Sequence, residues 1–184
     1  MKQVKGSMVV GLVRGIKRNY PKRAEFNKIL SDKAKDFLQQ RILTASWYPF
    51  DTYRELYDAS CLIVSENNPK NLYEMGVNAA NSSFSEMYSS TVQKGDLRMA
   101  IERYRRFHGR IYNFGDTIVE FVSDNELIFI YKDMPRDWEN WYHMIAGFAL
   151  TFIELCIDKK VDYSFLNKSW EQEGWTKIKF SWTP

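Results

Sequence analysis

Up to about residue 112 the apolar residues of this chain return every third or fourth position; from Thr117 the rhythm shortens to every second one. The first spacing marks amphipathic helices and the second half-buried strands. Residues 6–17 are apolar and β-branched, and fit either a short strand or a helix. After Pro21, "KRAEFNKIL" predicts a helix, and Ser31-Asp32 offers the cap of another over "KAKDFLQQ". Pro49 suits the first turn of a helix, on which Phe50, Tyr53, Tyr57, Cys61 and Val64 make one stripe until Asn67-Asn68-Pro69 breaks it. The next helix lines up Leu72, Met75, Gly76, Ala79, Ala80 and Ser83, a face small enough for another backbone to approach closely. Lys94-Gly95-Asp96 stops and restarts the chain. Asp96 then caps a helix carrying Leu97, Ala100, Ile101, Tyr104, His108 and Ile111, which ends near Gly115.

"TIVEFV" and "ELIFIYKD", joined through Ser123-Asp124-Asn125, predict a hairpin. A long helix over 137–158 follows, and then a second hairpin from "VDYSFLNKSW" and "TKIKFSW" with Gly174 in the connection. One face of the long helix holds Trp141, Met144, Ile145, Phe148, Phe152 and Cys156. The opposite side holds Ala146, Leu150, Ile153 and Ile157 with His143 and Glu154. A helix apolar nearly all round is buried on two sides. One side covers the sheet; the other must meet the N-terminal helices, a ligand or a second copy of the chain. The expected architecture is α+β, an N-terminal helical layer packed on an antiparallel sheet made of two hairpins flanking a long buried helix, in one domain over 1–184.

The chain has 184 residues and a net charge of +3, too little for a protein built mainly to cover nucleic acid. Cys61 and Cys156 lie in apolar helical segments and read as buried thiols of a reducing compartment. The apolar run Met8–Val13 soon turns basic and lacks a cleavage site, so it reads as mature structure. No segment offers the roughly 20 apolar residues of a membrane helix. A cytoplasmic protein without a membrane span is expected.

Aromatic residues reach 16%, and this surplus shapes the functional expectations. Trp47, Tyr48, Phe50, Tyr53, Tyr104, Tyr112, Phe114, Trp141 and Tyr142 come from four segments that should converge at the helix–sheet boundary. Pockets are mostly apolar with a few polar handles, which tyrosine hydroxyls or His108 would supply; plain core packing is the competing account. His108 is read as a ligand-site residue or as a core histidine bonded to a carbonyl. Gly76, Ala80, His143, Leu150 and Glu154 are the expected interface positions. Two histidines and two scattered cysteines give no metal spacing. No G-x-S-x-G, P-loop or G-x-G-x-x-G occurs, and the serines at 82, 83, 85, 89 and 90 have no local histidine base. The basic run Arg98, Arg103, Arg105, Arg106 and Arg110 is interrupted by Glu102 and reads as a solvated face, with an anionic ligand as the alternative.

The order "KGSMVVGLV", "SWYPF", "KGDLRMAIERYRRFHGRIYNFGD" and two hairpins around a long helix resembles a bacterial family of single-domain proteins expanded as paralogues in myxobacteria. That family is similar in architecture to the haem–nitric-oxide-binding, 4-vinyl-reductase and TRAPP-Bet3 domains. The resemblance spans nearly the whole chain and implies a helical layer on an antiparallel sheet, an internal apolar cavity and frequent dimerisation. Vinyl-reductase-like relatives carry cysteines in the final hairpin; here it has none. Haem-binding relatives carry a proximal histidine and a Tyr-x-Ser-x-Arg motif for the propionates; that motif is absent, and His108 and His143 are the only histidines. The resemblance therefore carries no activity across and leaves any cofactor unknown. What is expected is a non-enzymatic ligand-binding or sensory domain with an aromatic-lined apolar cavity for a small apolar ligand. The rival is a dimeric protein-interaction scaffold without a small-molecule ligand. No catalytic residue is assigned.

Overall fold

Residues 6–17 form a helix. Val9, Val13 and Ile16 fall on one buried side of α1 (Gly6–Arg18), while Arg14, Lys17 and Arg18 face water. The computed structural model describes residues 1–86 and 95–183, apart from the side chains of Tyr20, Ser85 and Glu86. The chain divides into two units, one of Met1–Asn68 with Arg110–Phe114, the other of Pro69–Gly109 with Gly115–Pro184.

In the first unit, β1 (Gln3–Lys5) pairs antiparallel with β2 (Trp47–Pro49), putting Val4 opposite Tyr48. This ribbon is too short to leave a periodic signal in sequence. After a single turn of 3-10 helix come α2 (Arg23–Ile29) and α3 (Asp32–Gln39). The Ser31 hydroxyl caps α3 by accepting the Ala34 N–H at 3.2 Å. α4 (Phe50–Ser65) starts one residue after Pro49, and α1, α2 and α3 all pack against it. The predicted stripe holds for Phe50, Tyr53, Tyr57 and Cys61, but Val64 is 47% exposed because the helix has by then turned past its neighbours.

The second unit holds α5 (Pro69–Glu86), most of α6 (Leu97–Ile111), β3 (Asp116–Ser123), β4 (Glu126–Lys132), α7 (Glu139–Ile157), β5 (Asp162–Asn167) and β6 (Thr176–Ser181). The four strands make one antiparallel sheet in the order β3-β4-β6-β5. The α+β class and the two hairpins flanking the long helix are as the periodicity predicts. Alternation along β4 buries Leu127, Phe129 and Tyr131, with Phe180 and Ile178 of β6 opposite the first two. Asp96 caps α6 by accepting the Met99 N–H at 2.9 Å.

α7 is buried on two sides, and both occupants belong to this chain. It packs against β5 and β6 on one side and runs along α5 on the other. A Cβ on Gly76 would overlap the Met144 carbonyl, and one on Gly147 would overlap the Tyr73 carbonyl. Phe84 completes the seam, its ring 5.2 Å from Phe148 and 5.1 Å from Phe152. The small-residue face of α5 thus meets a backbone, with Ala79 turned outward instead of joining it. Among the described residues no helix is long and apolar enough to cross a membrane.

Candidate functional site

The predicted aromatic residues other than Trp47 and Tyr48 form two groups, one in each unit. In the first unit, Phe50 opens α4 with its ring edge-on to Phe114 at 4.6 Å, and Tyr112 lies 5.4 Å from Phe114. Tyr53 and Tyr57 continue the cluster along the same helix face, and the Lys2 ammonium sits 5.0 Å above Phe114. Burial, and then the neighbouring Tyr112 phenol, hold the Tyr53 pKa well above its ordinary value. Burial also pushes the Cys61 thiol up to about 12, with the Tyr57 hydroxyl acting in the opposite direction. Trp47 and Tyr48 are placed differently. Trp47 is 37% exposed beneath the Lys5 ammonium, at 4.7 Å. The Tyr48 hydroxyl accepts the Leu43 N–H at 2.7 Å, and its ring meets the edge of Phe37.

In the second unit, Tyr104, His108 and Trp141 converge on a residue that the sequence did not single out. His108 is buried on α6, with Nδ1 3.3 Å from the Thr117 hydroxyl. Thr117 is itself fully buried, and its carbonyl accepts the Arg105 Nε–H at 3.0 Å. Across the ladder Thr117 pairs with Tyr131. The Tyr131 ring lies edge-on to Trp141 at 5.3 Å, and Trp141 stacks on Trp138. Tyr104 packs 5.4 Å from Phe129 and 5.0 Å from Phe152. The Tyr131 hydroxyl is buried, with the Tyr104 hydroxyl as a polar neighbour and no well-formed hydrogen bond among the described residues. Burial, and then the nearby Tyr104 hydroxyl, raise its pKa well above the usual phenol range, so it stays a neutral O–H. In sequence Tyr131 is one more inward residue of an alternating strand; only the three-dimensional packing marks its hydroxyl.

The residues expected at an interface are engaged within the chain. Gly76 and Ala80 are buried, and Gly76 meets the α7 backbone. Leu150 is buried on α7. The Glu154 carboxylate accepts the Val161 N–H at 3.1 Å and lies 3.6 Å from the Lys160 ammonium. His143 faces Glu139 one turn away at 3.5 Å and meets the edges of Phe165 and Trp170.

The other candidates scatter. In the arginine run, Arg98 lies over Phe121 at 4.2 Å, Arg105 reaches Thr117 and Glu102, and Arg103 reaches the Met99 sulfur. Ser82 and Ser83 are on α5; the Ser85 side chain, Ser89, Ser90 and Lys94 lie outside the described residues. Among the described residues no three of His, Cys, Asp and Glu converge as a metal site requires.

No family model matches the chain, and no curated relative does. Solved structures do. An H-NOX domain described as Cs H-NOX superposes with a TM-score of 0.67 at 12% identity, covering 98% of this chain and 97% of that one. An unliganded Fe(II) H-NOX mutant from K. algicida gives 0.64 at 11%, with 98% and 97% covered. An oxygen-binding H-NOX domain related to soluble guanylate cyclases, in its oxygen complex, gives 0.62 at 12%, with 98% and 95% covered. The architecture is therefore similar to that of the haem–nitric-oxide-binding domains, as the resemblance implies. Identities this low carry the fold and none of the chemistry.

The residues present do not fit haem. His108 is a buried imidazole whose Nδ1 already meets the Thr117 hydroxyl, and an axial nitrogen is only one part of a haem site. In the haem-binding relatives the two propionates are held by the hydroxyl and guanidinium donors of the Tyr-x-Ser-x-Arg motif. The buried Tyr131 is followed by Asp133 and Pro135 at the spacing where Tyr-x-Ser-x-Arg has serine and arginine. An acid would repel a propionate there, and proline has no side-chain donor. The neighbouring cations are engaged elsewhere: the Lys132 ammonium lies 5.0 Å over the Trp175 ring, and the Arg136 guanidinium donates to the Gln172 carbonyl at 2.9 Å.

Proposed function

We propose that this chain is a non-enzymatic sensory domain that takes a small, largely apolar ligand with one hydrogen-bonding group into an aromatic-lined cavity of its second unit. Haem is not the ligand in this reading. The observation that carries it is the buried Tyr131 hydroxyl, incompletely bonded beside the Tyr104 hydroxyl and walled by Trp141 and Phe129. A buried polar group left unsatisfied costs up to about 1–3 kcal/mol, and a polar atom on the ligand would complete the bonding of this hydroxyl. The aromatic rings would supply the apolar walls, with His108, oriented by Thr117, at their margin. The likeness to H-NOX domains supports the sensory part, since one such structure is described as oxygen-binding.

Signalling would require the ligand to favour one of two packings. The α5–α7 seam is the element to shift, because Gly76 and Gly147 leave it no slack. The reading treats 1–184 as one working domain in the cytoplasm, with output to a second copy or another protein chain.

Native mass spectrometry of the purified chain tests this, together with its visible spectrum after expression with a haem precursor. The expected result is a small-molecule adduct on the wild type that is lost in Tyr131→Phe, and no Soret band. A stoichiometric Soret band, or an adduct that persists in Tyr131→Phe, would overturn the reading.

A further inference from the structure

We infer that the first unit carries a second binding site, for a small organic anion, in the cleft between α1, α2 and α3. The cleft encloses about 320 Å³, within the range of small-molecule pockets. Its floor is Ile16, Phe26 and Leu38, and its rim carries Lys17, Arg23 and Lys35. Each helix supplies one apolar residue and one cation, so the arrangement exists only once the three helices are packed.

Charge identifies the occupant. Residues 1–44 hold eleven lysines and arginines against three acids, in a chain whose totals are 26 and 23. The basic excess is therefore concentrated in the segment that builds this cleft. Lys35 is partly neutralised by Asp32 at 3.2 Å. Lys17 and Arg23 have no ion pair among the described residues, and both line the cleft beside its apolar floor. A carboxylate or phosphate bound at this rim would pair with the two cations, with the arginine fork able to make two parallel hydrogen bonds. A short acyl or aryl body on the same molecule would lie over Phe26 and Leu38. Inorganic phosphate would satisfy the rim alone, and a neutral alcohol the floor alone. The predicted class is thus an anion with an apolar body, taken up free from solution and not as part of a membrane surface.

Titration calorimetry on the full chain with octanoate, octanol and inorganic phosphate tests the inference. Octanoate should bind one to one, more weakly at high salt. Octanol and phosphate should each bind at least about tenfold more weakly, since each loses one half of the contact. The double variant Lys17→Glu/Arg23→Glu should lose octanoate binding by more than about tenfold, because both charge-assisted partners are reversed. Its circular dichroism and urea midpoint establish that it folds; if they fail, Lys17→Gln/Arg23→Gln replaces it with the same expectation. Tyr131→Phe should leave octanoate binding unchanged, which separates this site from the proposed cavity. Octanoate bound equally well by a folded charge variant, or not bound at all, would overturn the inference. So would association with phosphatidylglycerol vesicles in the absence of octanoate binding.

Discussion

Gly76 of α5 lies so close to the Met144 carbonyl of α7 that a side chain at this position would have to enter the facing backbone. Gly147 stands in the same relation to the Tyr73 carbonyl, so the two helices cross through paired glycines. Backbone cannot yield as a flexible side chain does. Gly76→Leu is therefore expected to destabilise the chain by about 3 kcal/mol, the upper end of overpacking costs, despite the better helix propensity of leucine. Urea unfolding measures this, with Gly11→Leu as control, since a Cβ at Gly11 meets nothing within 4 Å. Equal midpoints for the two variants would mean that the helices do not pack this tightly.

This seam also shows what was legible in the sequence. The small residues Gly76 and Ala80 announced a close partner, and the all-round apolarity of α7 announced burial on two sides. Neither pattern names the partner, because periodicity reports which face is dry and not what dries it. The α5 helix does so, which removes the need for a ligand or second copy on that face. Tyr131 escaped for a different reason: an inward tyrosine in a strand looks the same whether or not its hydroxyl finds an acceptor. The cationic cleft escaped because Lys17, Arg23 and Lys35 come from three helices, whereas the arginine run at 98–110, conspicuous in sequence, is dispersed over aromatic, carbonyl and carboxylate partners.

Ser31 shows a cap shared between helices. Its hydroxyl accepts the Ala34 N–H at the start of α3, while its own N–H and O–H both donate to the Glu55 carboxylate of α4, at 2.6 and 2.9 Å. In a capping box this carboxylate would come from the third residue of the same helix; here α4 provides it and fixes α3 in place. Ser31→Ala should cost about 1 kcal/mol. Glu55→Ala should cost a comparable amount, and the double variant less than the sum, with a coupling of at least about 0.5 kcal/mol. Strict additivity in urea unfolding would show that the two residues act independently.

His143 gives the stability of the chain a pH dependence whose sign is fixed by its surroundings. Burial lowers its pKa below 6.5, and the Glu139 carboxylate offsets part of that shift. The unfolded chain therefore takes up a proton near pH 6.5 that the folded chain resists until lower pH. Wherever the unfolded state binds more protons, stability rises with pH; the contribution of His143 is present above about 6.5 and is lost as the pH falls towards the folded value. The urea midpoint of the wild type should fall between pH 7.5 and pH 5.5, and that of His143→Gln should fall less. Glu139→Gln removes the offsetting carboxylate, depresses the folded pKa further and should steepen the fall. A midpoint as pH-sensitive in His143→Gln as in the wild type would assign the proton uptake to another group. An unchanged slope in Glu139→Gln would show that the 3.5 Å contact carries no electrostatic weight in solution.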